Sequence, residues 1–177
     1  IPHIEISKYT KQKEILGGRV KTLHPKIFGG LLGTRSQTHQ KELQSEKIVN
    51  FDMLIINLYP FEETIKKTKK SDEIIEMIDI GGHSLIRAAI KNFTKTIPIV
   101  SPADYKQIIR KLPKSINEKK KYALTALQHI TQYDIAITNW FQGVKTDEYP
   151  LRYGENPQQK AIALVNDNSF VQMGGEK

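Results

Sequence analysis

Short apolar runs and longer helical patterns alternate along the chain. The clearest run covers residues 52–59, DMLIINLY, and Pro60 ends it. An unbroken apolar run of this length is typical of a strand buried on both faces of a parallel sheet, so we predict a strand here. Shorter runs at residues 97–101 and 4–6 predict two further strands.

Helical periodicity fills the segments around these runs. Apolar residues at spacings of three and four predict helices over residues 38–49, 72–78, 83–91, 103–112 and 118–141. The longest of them carries one apolar stripe that we assign to the core, formed by Leu124, Leu127, Ile130, Ile137 and Phe141. Strands that alternate with helices indicate βαβ units, and the predicted fold class is therefore α/β, with a parallel sheet flanked by helices.

A change of pattern after Gly143 predicts a domain boundary. Residues 145–150 are polar and contain a proline, which is typical of a linker, and a second unit is expected from about Leu151. We predict one domain over residues 1–148 and the start of another over residues 149–177. The second stretch is shorter than the roughly 40 residues at which independent folding becomes plausible.

Charge and composition narrow the function classes. The 177 residues include 27 Lys and Arg against 19 Asp and Glu, a net charge of +8, with basic clusters at residues 66–70 and 106–121. Such a balance favours anionic partners such as phosphorylated metabolites or nucleic acid, although a solvated lysine-rich surface has the same composition. No aromatic residues interleave with the clusters as single-strand binding would require, and we expect no nucleic-acid partner.

The absence of cysteine excludes a disulfide framework, a thiolate zinc site and a cysteine nucleophile. The five histidines show no metal-ligand spacing, so no metal is expected. No apolar run approaches the ~18–20 residues that cross a bilayer, which predicts no membrane partner. The absence of cysteine fits a reducing cytosol, and the expected location is the cytoplasm.

Two glycine-rich segments carry most of the candidate chemistry. In GGRVKTLHPKIFGG, residues 17–30, glycine pairs flank Arg19, Lys21 and Thr22, which suit a phosphate or a developing oxyanion. In DIGGHSLIRAAIKN, residues 79–92, a glycine pair opens a helix whose N–H groups attract anions. A charged surface turn and a solvated basic helix are the simpler interpretations of the two segments.

Three further features complete the candidate site. Asp79, just before the Gly81-Gly82 pair, suits a general base or a partner for a lysine. Asn57 and Tyr59 follow the strongest predicted strand, where open α/β sheets bind ligands. Basic residues at helical spacing predict one cationic face on the following helix: His83, Arg87 and Lys91. Together these residues predict a cationic, glycine-lined site with one acid, suited to proton transfer on a phosphorylated small molecule.

Six segments in order resemble a known family. They are GGRVKTLHPKIFGGLL, DMLIINLYPFEET, IDIGGHSLIRAAIKN, VSPADY, ALTALQHITQYDIAI and LRYGENPQQ. The sequence resembles the bifunctional purine biosynthesis enzymes, AICAR transformylase/IMP cyclohydrolase. The first five segments resemble the cyclohydrolase domain, whose fold is methylglyoxal-synthase-like, and the sixth resembles the start of the transformylase domain.

The resemblance implies an activity and assigns residues to it. The activity is the dehydrative ring closure of formyl-AICAR to IMP, which uses no cofactor; the family's formyl transfer uses 10-formyltetrahydrofolate. The matching catalytic positions are Lys21, Tyr59, Asp79 and Lys91, and we expect all four to converge on one pocket. The positions implied to bind substrate are Arg19, Thr22, Asn57, Gly81, Gly82, Arg152 and Tyr153. A homodimer is implied for the full-length protein.

The sequence departs from the family pattern in several places. His83, Phe28, Phe93 and Gln158 differ from the residues usual at these positions. No counterpart of the family's first strand and phosphate loop is found before Ile1, so the first domain is expected to be incomplete. The formyl-transfer Lys-His motif is not found either, so the second unit is expected to be a truncated stub. A phosphate-binding or nucleotide-binding module of the same fold without catalysis is the alternative function.

Overall fold

A computed structural model describes residues 2–143, 146–151 and 161–166. The chain divides into two compact units, Ile1–Tyr133 and Asp134–Lys177, and helix α8 runs from the first into the second. In the described part, strands β1 (Met53–Ile55) and β2 (Ile97–Ile99) belong to the first unit. The helices are α1 (Ile6–Thr10), α2 (Pro25–Leu32), α3 (Gln37–Ser45), α4 (Phe61–Lys67), α5 (Ser71–Ile75), α6 (Gly81–Lys91), α7 (Tyr105–Arg110) and α8 (Ile116–Phe141).

The two strands of the first unit pair in parallel. Met53 lies opposite Ile97 and Ile55 opposite Ile99, and α4, α5 and α6 form the crossover between the strands. The predicted α/β class with a parallel sheet and flanking helices is therefore confirmed. Burial of β1 on both faces is wrong, because the side chain of Ile55 is 54% exposed.

Helix α6 is the central packing element of the first unit. Its Leu85 and Ala88 pack with Ile27 and Leu31 of α2. On another side, Ile86 packs with Val100 after β2 and with residues of α8. Small side chains on α6 allow this close approach, and burial of its apolar surface is worth roughly 25 cal/mol per Å². The packing fixes the amino-terminal end of α6 relative to β1.

Two buried polar side chains fasten α2 to the rest of this unit. The Asn92 side-chain amide donates to the carbonyls of Leu31 and Gly33, at 2.8 and 3.0 Å. The Thr96 hydroxyl donates to the carbonyls of Leu31 and Phe51, at 3.1 and 2.7 Å. Satisfied buried groups of this kind fix geometry, since leaving one unpaired costs about 1–3 kcal/mol.

Helix α8 begins with a capping box. The Glu118 N–H donates to the Ser115 hydroxyl at 3.2 Å, and the Glu118 carboxylate accepts from the Ser115 N–H at 3.0 Å. The predicted core stripe on this helix is wrong in part, since Leu124, Leu127 and Phe141 are exposed. The buried face carries smaller residues, Ala123, Ala126, Ile130 and Tyr133, which let the helix lie close to α6.

The predicted elements differ from the observed ones in one element type and in two missing helices. The predicted strand at residues 4–6 is wrong, because Ile6 begins α1. Sequence periodicity missed α2 and α4, because α4 has only two apolar residues and α2 has few polar ones, so neither shows a clear period. Local signals did mark the start of α2, where Pro25 occupies the first turn and the His24 ring accepts from the Lys26 N–H.

The second unit contains an antiparallel pair of strands. Strand β3 (Thr146–Leu151) pairs with β4 (Ala161–Asn166), with Thr146 opposite Asn166. The interpretation of residues 145–150 as a linker is therefore wrong for most of that stretch. Arg152 and Tyr153 lie outside the described residues. Within the described part of the chain, none of the helices is long and apolar enough to span a membrane.

Candidate functional site

A cavity of about 700 Å³ lies beyond the carboxyl end of β1 and at the amino-terminal end of α6. Three segments distant in sequence form its walls: residues 14–22, residues 56–59 and residues 75–85. Its volume is within the range of about 300–1,000 Å³ that is typical of small-molecule sites. Residues predicted for the site that line this cavity are Arg19, Lys21, Thr22, Asn57, Tyr59, Asp79, Gly81 and Gly82.

A tight turn presents the basic residues of the first segment. Ile15 and Val20 pair through backbone hydrogen bonds of 3.1 and 3.3 Å, and the turn between them includes Gly17 and Gly18 with φ of 65° and 92°. Glycine adopts these left-handed angles without steric cost, which explains the glycine pair. The turn directs Arg19 and Lys21 to the cavity.

Each of the two cations in this segment pairs with an acid of the cavity wall. The Lys21 ammonium lies 3.1 Å from the Glu14 carboxylate, and the Arg19 guanidinium forms an ion pair with Glu76. The hydrogen bond that Arg19 donates to Glu76, followed by the negative charge of Glu76, raises the pKa of Arg19. The prediction of a cationic site with one acid is therefore wrong, because Glu14, Glu76 and Asp79 all line the cavity.

The carboxylate of Asp79 is bound to the start of α6. Its Oδ1 accepts from the Gly82 N–H at 2.6 Å. One of the helix N–H groups that sequence analysis predicted to attract an anionic ligand is therefore already bonded to this acid. A Cβ at position 82 would lie 2.6 Å from Asp79 Oδ2, and one at position 81 would lie 2.8 Å from the Thr22 hydroxyl. An added Cβ at either position would therefore displace the side chain that approaches it.

Tyr59 and Asn57 lie on the segment that follows β1. Both side chains are exposed and line the cavity. Tyr59 is fixed at the backbone, since its carbonyl accepts from the Phe61 N–H at 2.8 Å and Phe61 is buried at the start of α4. An exposed tyrosine held in this way presents a phenol to solvent and to the cavity.

Lys91 does not join the other three predicted catalytic residues. It lies in the last turn of α6 and lines a separate hollow of about 330 Å³ with Arg87, Phe28 and Leu32. The predicted convergence therefore holds for Lys21, Tyr59 and Asp79 but not for Lys91. The half-buried ring of His83, in the first turn of the same helix, lies 6.4 Å from the ring of Tyr133.

Sequence reasoning missed three residues around the cavity. Glu14 and Glu76 lie in segments without a recognisable motif and reach the site only through the fold. Tyr133 on α8 accepts a hydrogen bond from the Asp79 N–H at 2.9 Å and donates to the Met77 carbonyl. Sequence analysis did not single out Tyr133, which is absent from the predicted core stripe of this helix.

A second large hollow lies between α7 and the start of α8. We call it the basic hollow; it measures about 710 Å³ and is lined by Ala103, Asp104, Lys106, Gln107, Arg110, Lys111, Pro113, Glu118, Lys121, Tyr122 and Thr125. Burial, together with the charges of Asp104 and Glu118, raises the pKa of Tyr122. Among the described residues, no cluster of three His, Asp or Glu side chains is arranged to hold a metal.

The parallel sheet, the flanking helices and the cavity at the strand ends define a methylglyoxal-synthase-like domain. Consistent with this class, residues 1–84 match the family model described as "MGS-like domain". The crystal structure of ForH superposes with a TM-score of 0.64 at 26% sequence identity, over 73% of this chain and 70% of that one.

The rest of the sequence identifies the family within this class. Residues 89–176 match the family model described as "AICARFT/IMPCHase bienzyme". The bifunctional purine biosynthesis protein PurH of Prochlorococcus marinus subsp. pastoris is 43% identical over the whole chain and 38% of its own length. PurH of Staphylococcus saprophyticus is 41% identical over the whole chain and 36% of its own length. The chain belongs to the bifunctional purine biosynthesis family, and it spans less than two fifths of these relatives.

Proposed function

We propose that this protein acts in purine nucleotide biosynthesis and that its cavity carries the cyclohydrolase step, the dehydrative closure of formyl-AICAR to IMP. The observation that supports the proposal is the convergence of Lys21, Tyr59 and Asp79 on one cavity from three distant segments. A cavity that only bound a phosphate would not require an ammonium, a phenol and a carboxylate together.

The reaction joins two groups of one substrate. The carboxamide nitrogen attacks the formyl carbon, and a C–N bond forms while the formyl oxygen gains negative charge. The attacking nitrogen gives up one proton, and the oxygen then leaves as water with that proton and the proton of the formamide nitrogen. An amide nitrogen is a weak nucleophile, so the step needs a base at the nitrogen and a cation at the oxygen.

The residues of the cavity fit these needs. Asp79 is the candidate base at the carboxamide nitrogen, since its carboxylate is held in place by the Gly82 N–H. Lys21 is the candidate cation at the developing oxyanion, and Glu14, 3.1 Å from its ammonium, orients it. Tyr59 is assigned to orientation of the substrate and to proton transfer, and Asn57 to a polar contact with the heterocycle.

The substrate phosphate requires a partner, for which Arg19 is the candidate. Its ion pair with Glu76 is exposed, with 66% of the Arg19 side chain accessible, and exposed pairs of this kind contribute little to stability. A phosphate dianion forms stronger charge-assisted hydrogen bonds with a guanidinium and can replace Glu76. Lys91 lies outside the cavity, and the proposal assigns it no role in the reaction.

The test is direct incubation of the purified protein with formyl-AICAR and no cofactor, followed by detection of IMP. We expect IMP to form at a rate above the uncatalysed one. The non-catalytic alternative predicts calorimetric binding of IMP without turnover, and this result would contradict the proposed function. We propose formyl transfer from 10-formyltetrahydrofolate, with roles for Arg152 and Tyr153, only at full length. A homodimer is likewise a proposal for the full-length protein.

A further inference from the structure

Tyr133 contacts residues close to both Asp79 and Tyr59 in the chain. Its hydroxyl donates to the Met77 carbonyl and accepts from the Asp79 N–H at 2.9 Å, so one oxygen closes both ends of the segment before α6. The Tyr133 side chain is only 6% exposed. A buried hydroxyl that satisfies both a donor and an acceptor fixes the backbone between them.

The ring of Tyr133 contacts two further segments. It meets the ring of Phe61 edge to face, with centroids 6.0 Å apart, and Phe61 is bound through its N–H to the Tyr59 carbonyl. The ring also lies against His83 in the first turn of α6. One side chain on α8 thus holds the loop after β1, the loop of Asp79 and the first turn of α6.

We propose that Tyr133 is a positioning residue of the active site, which sets the location of the Asp79 carboxylate through the Asp79 backbone. This inference rests on the proposed function, since it assigns Tyr133 a role in the same reaction. A shift of about 1 Å in a catalytic group can cost ~10²-fold in rate, so a residue that fixes Asp79 from outside the cavity affects chemistry without touching the substrate.

Tyr133→Phe is the informative variant, because it keeps the ring contacts and removes both hydrogen bonds. We expect kcat to fall by ~10- to 100-fold with KM changed by less than about 2-fold, since ground-state contacts remain. The matched control is Tyr122→Phe, the same change on the same helix in the basic hollow, and we expect it to leave kcat within about 2-fold. A Tyr133→Phe enzyme with wild-type kcat overturns the inference.

A double-mutant cycle separates positioning from general stability. If Tyr133 acts through Asp79, then Tyr133→Phe added to Asp79→Asn costs less than about 3-fold in kcat, because the group being positioned is already inactive. A full additional loss in the Asp79→Asn background shows that Tyr133 acts through another residue or through folding, and contradicts the inference.

A measurement without substrate keeps this inference distinct from the proposed function. In Tyr133→Phe, amide hydrogen exchange at Asp79 should accelerate by ~5-fold or more relative to the wild type, whereas amides in the middle of α6 keep their rates. If the wild-type protein forms no IMP, the proposed function fails, and this exchange result still decides whether Tyr133 holds Asp79. Unchanged exchange at Asp79 overturns the inference.

Discussion

The two large hollows of the first unit have nearly the same volume, about 700 Å³ for the site cavity and 710 Å³ for the basic hollow. They differ in the origin of their walls. The basic hollow is built from one continuous stretch, residues 103–125, whereas the site cavity joins segments that span residues 14–85. A local cluster of lysines reflects composition, but convergence from distant segments requires the fold and is the better mark of a functional site.

The charges of the two hollows also differ. In the site cavity, both Arg19 and Lys21 face an acid. In the basic hollow, Lys111 pairs with Glu118, but Lys106, Arg110 and Lys121 form no ion pair with any described residue. The more basic surface also holds a phenol near carboxylates, Tyr122 with Asp104 and Glu118, but it lacks the glycine-lined approach of the site cavity. Net positive charge therefore steers anions but does not identify the chemistry.

The comparison is tested most strongly by single substitutions that remove two charged groups of the site cavity, in separate variants, and one of the basic hollow. Lys21→Ala and Asp79→Asn should each lower turnover of formyl-AICAR by ~10²-fold or more, the scale of one lost oxyanion donor or general base. Lys121→Ala in the basic hollow is the matched control and should stay within about 2-fold of the wild type. Steady-state rates at saturating substrate provide the measurement, and equal losses at all three positions would falsify the assignment of the site.

A smaller effect is expected from Gly82→Ala. The added Cβ would lie 2.6 Å from Asp79 Oδ2 and displace the carboxylate from the helix terminus. We expect turnover to fall by ~10-fold or more, with thermal stability lowered less than by a core cavity. The control is Gly143→Ala, where no atom lies within 4 Å of the added Cβ but φ is 67°, so backbone strain occurs without a change at the site. Wild-type turnover in Gly82→Ala would show that the Asp79 contact is not needed.

Lys91→Ala tests the boundary of the site. Because Lys91 lines the hollow beside Phe28 and Leu32, we expect turnover to fall by less than about 10-fold, clearly less than for Lys21→Ala. Arg87→Ala, one helical turn earlier on the same face, is the matched control. A loss for Lys91→Ala as large as that for Lys21→Ala, with Arg87→Ala unaffected, would show that Lys91 reaches the substrate and that the four residues predicted from sequence do act together.

The α/β class and many of the residues that line the cavity were predictable from the sequence. The acids that pair with the cations of the cavity were not. The glycine pairs, the apolar run and the strand end are local signals, so Arg19, Asp79 and Tyr59 were identified directly. Glu14, Glu76 and Tyr133 were missed because their roles depend on contacts with residues that are far away in the chain, such as the hydrogen bond between Asp79 and Tyr133. Exposure of Ile55 was missed because an apolar run alone does not show whether other elements cover both faces of its strand.

The smallest expected effect concerns Glu118, a residue of the basic hollow whose role is structural. Hydrogen bonds from the Ser115 backbone, then from Lys111, the Lys114 backbone and the Ser115 hydroxyl, lower the pKa of Glu118 to about 2 from its ordinary 4.5. A carboxylate whose pKa is lower in the folded state stabilises the protein above pH 4.5, and this contribution is lost as the pH falls through 2.

Glu118→Gln should therefore lower Tm by ~2–4 °C near pH 7 and leave turnover of formyl-AICAR unchanged. The difference in Tm between variant and wild type should shrink as the pH falls from 4.5 towards 2, because the wild-type carboxylate becomes protonated in both states. Thermal unfolding of both proteins across this range gives the measurement, and Glu63→Gln, in an exposed pair with Lys67 on α4, is the control. A constant difference at all pH values would contradict the capping role, whereas a large loss of turnover would mean that the basic hollow takes part in catalysis.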